Sequence, residues 1–141
     1  KLASRLVIRI KSLQYRCFTG KNMANINESL ASLMDIDGAA CAAIVDSNSG
    51  MLLGSQGSGM DIMLAAAGNT EVVRAKMRTM QSLKLDDTIE DMLITLGKQF
   101  HIIRPIKAAP GLFIYLVLDK SKSNLALARH KAAGVEAELK I

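Results

Sequence analysis

Apolar residues follow two rhythms along this chain, and the switches between them mark its elements. From Asn25, the positions Leu30, Leu33 and Met34 recur at helical spacing, with Asn25 placed to cap and Glu28 three residues on as its capping-box partner. Asp37-Gly38 closes that short helix. Ala39 to Asp46 (AACAAIVD) is then a continuous small and apolar run bounded by turn residues, the pattern of a strand covered on both faces. Ser47-Asn48-Ser49-Gly50 supplies turn chemistry and leads to Met51-Leu52-Leu53, which predicts an antiparallel hairpin. The glycines of Gly54 to Gly59 (GSQGSG) are in the wrong order for a dinucleotide loop, and no Gly-Lys-Ser/Thr follows. A flexible loop ending at a helix N-cap is expected there.

The segment from about Met60 to Leu83 carries a stripe of Ile62, Ala66, Val73, Met77 and Met80 and predicts the longest helix. On the opposite side of its wheel lie Met60, Met63, Leu64 and Ala67, succeeded by Glu71, Arg74, Arg78 and Gln81. Its early turns are therefore apolar all round. One core covers one side of a helix, so a second surface, most simply another subunit, is implied. Three strands are predicted next, at Thr88–Leu96, Phe100–Ile106 and Leu112–Asp119, with Pro105 near a strand end where a missing donor is tolerated. Ser123 or Asn124 caps a final helix whose apolar face is Leu125, Ala128, Ala132, Val135 and Leu139. The order is α-β-β-α-β-β-β-α, an α+β fold.

Charge changes the picture only at the N-terminus. The net charge of +5 on 141 residues suggests a nucleic-acid binder, but Lys1, Arg5, Arg9, Lys11, Arg16 and Lys21 all fall within residues 1–22, where there is no acid. The remaining 119 residues sum to −1, which removes the basic surface that nucleic acid requires. Met23 reads as a natural initiator, with residues 1–22 a leader that is either added ahead of a domain spanning 23–141 or a disordered stretch translated from upstream sequence. As a native segment, its Leu2, Leu6, Val7, Ile10 and Leu13 among basic residues would form an amphipathic helix for a membrane surface or a partner groove. Arg9 and Lys11 interrupt it too early for a secretory signal. No apolar run reaches the roughly 18–20 residues of a membrane span. A length of 141 residues with 50% hydrophobic residues suits one domain, and two cysteines, Cys17 and Cys41, suit a reducing cytoplasm.

Candidate chemistry is sparse. His101 and His130 read as rim or surface histidines, Cys41 as a small core residue, and Asp86, Asp87, Glu90 and Asp91 as a solvated strand start rather than a divalent-cation site. No nucleophile–base pair, metal cluster or cofactor motif can be assembled, so catalysis, metal and cofactor are not expected.

The ordered set of Leu33, Gly38, AACAAIVD, Gly50 and MLL, followed by Phe100–Ile106, LFIYLVLD and Ser123-Asn124-Leu125 with Ala126 to Arg129 after it, resembles the Roadblock/dynein light-chain family over about Asn25 to Ala133. The resemblance, in particular to bacterial stand-alone Roadblock domains of profilin-like architecture, implies a five-stranded antiparallel sheet between one long helix and two shorter ones. It also implies a homodimer in which the long helices pack together, through Met60, Met63, Leu64 and Ala67, and the sheets join at the third strand. Members bind and regulate Ras-like small GTPases or serve as adaptors on motor and signalling complexes. The role carried over is a non-enzymatic cytoplasmic scaffold for a small GTPase, with Arg74, Arg78 and Gln81 as its contacts to an acidic partner. The competing expectation is a small-molecule sensor or an adaptor in a signalling complex. It would need a cavity between layers, and three Phe, two Tyr and no Trp provide few walls for one.

Overall fold

The computed structural model describes residues 20–141. Its elements are α1 (Gly20–Met34), β1 (Ala39–Asp46), β2 (Met51–Gly57), α2 (Ile62–Ser82), β3 (Met92–Thr95), β4 (Gln99–Pro105), β5 (Leu112–Asp119) and α3 (Leu125–Glu138). The five strands form one antiparallel sheet in the order β2-β1-β5-β4-β3. This is the α+β order expected from the sequence, and the two apolar runs at Ala39–Asp46 and Leu112–Asp119 are its central strands.

Alternation along those strands divides the core in two. Ala42 and Ile44 of β1, Ile102 of β4 and Leu112, Ile114, Leu116 and Leu118 of β5 face α1 and α3, where Ile26, Leu30, Leu33, Ala128, Ala132 and Leu139 cover them. Cys41, Ala43, Val45, Ile103, Phe113, Tyr115 and Val117 face α2, which meets them with Ala66 and Val73. The alanines of β1 keep both helix layers close to the strand. Asn124 caps α3, its side chain accepting from Leu127 N at 3.1 Å.

Several boundaries differ from the sequence expectation, each for a physical reason. Helix α1 starts at Gly20, so Asn25 lies inside it and its amide donates to Lys140 O instead of capping. Residues 20–22 of the supposed leader therefore belong to the first helix, and the rest of it lies outside the described residues. Strand β2 runs on to Gly57, so the glycine segment is mostly strand and not loop. A Cβ on Gly54 would sit 3.0 Å from Leu30 and 3.1 Å from Ile26, so glycine lets α1 press onto the strand. Gly57 has φ +92° beside Cys41, and a Cβ there would fall 2.3 Å from Ala40 O. The third strand is shorter than expected, starting at Met92 instead of Thr88. The ladder stops after Met92↔Ile103 because the partner of Glu90 would be Pro105, which has no N–H. Met77 and Met80, expected on the core stripe, are exposed and half-buried, since Val73 is the last residue of α2 seated on the sheet.

Gly57→Ala must combine a disfavoured φ with a backbone clash, and is expected to cost about 2–3 kcal/mol of unfolding free energy. A urea unfolding midpoint unchanged from the parent would contradict this account of β2.

Candidate interaction surface

Helix α2 begins at Asp61, whose carboxylate accepts from Leu64 N at 3.1 Å. Ala66, Thr70 and Val73 are its buried residues, with the Thr70 hydroxyl returned to Ala66 O at 2.8 Å. Small side chains at the contact bring the helix down on the sheet and turn its other side fully outward. Met63 is 71% and Leu64 70% exposed, and Ala67 is exposed beside them. Met60 departs from this group. It precedes the helix, is half-buried against the α2-side core, and places its Sδ 3.7 Å from the Tyr115 hydroxyl.

The three polar residues singled out on α2 come together. Arg74, Arg78 and Gln81 line one cleft of ≈ 240 Å³ with Ser47, Asn48, Val73 and Met77. Arg74 is committed within the fold: Nε donates to Ser47 O at 2.9 Å, Nη2 to Asn48 O at 2.6 Å and Nη1 to Glu71 Oε1 at 3.1 Å. It holds the β1–β2 turn to the helix instead of standing free. The same turn is tied to the β4–β5 turn, because Ser47 N and Oγ both donate to Gly111 O, at 2.8 and 2.7 Å. Arg78 and Gln81 are exposed, and Arg78 forms no ion pair among the described residues. On the far side of Met77 opens a second cleft of ≈ 410 Å³, mainly apolar, between the end of α2, residues 87–89 and the β4–β5 turn.

His101 is a rim residue with defined partners. A neutral ring with Nε2–H donating to Gln99 Oε1 (3.0 Å) and Nδ1 accepting from the Tyr115 hydroxyl (3.0 Å) satisfies both nitrogens, and the rings meet edge to face at 5.6 Å. Burial lowers the His101 pKa and raises that of Tyr115. His130 is exposed on α3. Cys41 is buried in β1, and burial pushes its thiol up.

The acidic run is not uniformly solvated. Asp86, Asp87 and Glu90 are exposed, but the Asp91 side chain is only 9% exposed and receives Arg129 through two bonds of 2.7 and 2.9 Å, with Arg104 at 3.8 Å. Arg104 also stands 3.9 Å from the buried Glu136 carboxylate, whose Oε1 accepts from Lys107 N at 2.7 Å. Two acids and two bases thus join α3 to β4 and the entry of β3. No sequence signal pointed to this group, since its members are spread from residue 91 to residue 136. Among the described residues, no three His, Cys, Asp or Glu side chains are grouped to hold a metal, and no helix is long and apolar enough to cross a membrane.

No protein-family model matches the chain, and no curated protein matches it. Solved structures do. MglB of Myxococcus xanthus is 18% identical with a TM-score of 0.76, covering 86% of this chain and 89% of that one. The gliding protein MglB from Thermus thermophilus is 14% identical with a TM-score of 0.74, over 86% and 90% of the two chains. A Roadblock/LC7 domain from Streptomyces avermitilis is 10% identical with a TM-score of 0.68, over 79% and 92%. The chain has a Roadblock-type fold.

Two measurements check the polar groups. Asp91→Ala leaves the half-buried Arg104 facing only Glu136 and is expected to cost about 3 kcal/mol in chemical denaturation, with Arg129→Met costing clearly less. A lowered His101 pKa means the unfolded chain binds the extra proton more readily. Stability is then fully present above the ordinary value of 6.5 and falls as pH drops below it. The thermal midpoint should decline over that range less steeply in His101→Asn than in the parent.

Proposed function

We propose that the chain is a non-enzymatic, homodimeric regulatory platform that binds a Ras-like small GTPase. The observation that carries this reading is the outward apolar start of α2. Met63 and Leu64 are large, adjacent and solvent-facing on a helix whose opposite side is already seated on the sheet. Such a surface calls for a second helix, and the equivalent helix of another copy provides one of identical chemistry. The Roadblock-type fold supports this pairing, because the family that the sequence resembles dimerises through its long helices and its third strand. β3 is an edge strand here, with Leu93 and Leu96 exposed.

The partner surface in this reading is the Arg78–Gln81 side of the same helix. Arg78 offers an uncommitted guanidinium at the rim of the smaller cleft, while Arg74 fixes the turn that forms its wall. A positive rim speeds encounter with an acidic partner and makes association salt-dependent. In this reading the platform modulates the GTPase's nucleotide cycle and leaves the hydrolytic chemistry to the GTPase.

Met63→Glu should convert a dimer to monomer or aggregate in sedimentation velocity, because an unpaired charge at a buried interface costs several kcal/mol. A parent that sediments as a monomer at micromolar concentration would refute the dimer. Arg78→Glu should weaken association with a cognate small GTPase mainly through slower encounter, as read by titration in the diphosphate- and triphosphate-bound states at two salt concentrations. Arg74→Glu would also release the turn, so Arg78→Glu is the cleaner test. Nucleotide hydrolysis by the isolated chain would overturn the non-enzymatic assignment.

A further inference from the structure

The larger cleft has no part in the platform reading. The ladder of β3 with β4 ends at Met92↔Ile103, so residues 87–89 run outside the sheet, and the cleft lies between them, the end of α2 and the β4–β5 turn. Its lining includes the buried core residues Ile106 and Leu112, with Met77, Met80, Ile89 and Pro105 around them. At ≈ 410 Å³ it falls within the roughly 300–1,000 Å³ of small-molecule sites, and like them it is mainly apolar with few polar groups.

Its charges name the class of occupant. Among the described residues, the charged lining is one acid and one base on different walls, Asp87 before β3 and Lys107 on the β4–β5 turn, and both are exposed. Asp87 accepts from Thr88 N through Oδ1 at 2.8 Å, which leaves Oδ2 for a further donor. Lys107 is held by its main chain, whose N donates to Glu136 Oε1 at 2.7 Å, while its ammonium enters no ion pair among the described residues. Glu136 is turned to Arg104, and the exposed Asp86 and Glu90 do not line the cleft. A ligand with one charge meets an attractive wall and a repulsive one. A ligand that carries both signs on an apolar body is complementary to both walls.

We propose that the cleft binds a small zwitterion with an apolar body, the class of the free apolar amino acids. The ligand's carboxylate meets the Lys107 ammonium, its ammonium meets the Asp87 carboxylate, and its body rests on Met77, Met80 and Ile89. Unbranched, polarizable methionines adapt to a ring or a branched chain, so the site suits the class and not one member of it. Exposed ion pairs are individually weak; they select among ligands, while burial of the apolar body supplies most of the affinity. Met77 also lines the smaller cleft, so an occupant fixes a wall common to both. The proposal depends on neither the dimer nor the GTPase, and the chain alone suffices to test it.

The experiment titrates the full chain, methyl-labelled at Met, Ile and Leu, with L-phenylalanine and with two analogues that each lack one charge, 3-phenylpropionate and 2-phenylethylamine. L-Phenylalanine should shift the NMR signals of Met77, Met80 and Ile89 saturably at millimolar concentration and leave Leu125 and Leu127 of α3 unmoved. Each analogue should bind about three- to fivefold more weakly, the worth of one exposed ion pair, and raised salt should shrink the difference. Asp87→Asn, which keeps the acceptor for Thr88 N, should erase the advantage of L-phenylalanine over 3-phenylpropionate and preserve its advantage over 2-phenylethylamine. Lys107→Gln should do the reverse. Both substitutions are at exposed positions. Absence of saturable shifts at Met77, Met80 and Ile89 overturns the proposal. So does equal or tighter binding of either analogue by the parent, which would make the cleft a site for an apolar or singly charged ligand, and so does a preference for the zwitterion that survives both substitutions.

Discussion

Strand β5 is buried from Leu112 through Leu118 without interruption, and excluding water from both of its faces is the constraint to which the other elements answer. A strand with apolar side chains above and below needs a cover on each side, which is why helices occur on both faces. The two covers are made differently. On the α1 and α3 side, long branched side chains fill a deep layer. On the α2 side, the helix contributes little beyond Ala66, Thr70 and Val73 and sits close. A helix that needs only small residues to meet its own sheet is free to carry large ones elsewhere, and Met63, Leu64, Met77 and Leu83 occupy that outer surface.

The charged group around Asp91 does a different job from the apolar layers. β3 is a four-residue edge strand, and its ladder with β4 stops at Met92↔Ile103, two residues short of Pro105. Side chains take over where backbone pairing stops: Asp91 and Arg104, which would be the next pair in register, meet through carboxylate and guanidinium, and α3 adds Arg129 and Glu136. Buried ion pairs add little net stability compared with apolar packing, but they are selective in geometry. Here they define where the edge strand begins.

Central elements were legible because their signals are local. The AACAAIVD and LFIYLVLD runs coincide with β1 and β5 at both ends, and the stripe on α2 correctly identified Ala66 and Val73 as its seat. The errors fall where distant residues decide. Gly54 reads as loop until Leu30 and Ile26 arrive above it, and Gly57 until Ala40 O does. Asn25 looks like a cap because nothing near it in sequence shows that the helix continues backwards. Along the outer side of α2, helical periodicity groups Arg74, Arg78 and Gln81, and the three line one cleft. Periodicity could not separate Arg74, held by two carbonyls 26 and 27 residues away, from Arg78, which is exposed.

Arg74 recognises the β1–β2 turn through the main-chain oxygens of Ser47 and Asn48, not through their side chains. A contact of that type is blind to the identity of the residues it holds. Substitutions can therefore accumulate in the turn as long as its backbone path is kept, whereas lysine at position 74 could not reproduce the forked geometry. Because Ser47 in turn grips Gly111 O, the arginine sets the relative position of two hairpin tips. Over evolutionary divergence the rim of this surface is thus free to change its chemistry while its shape is inherited.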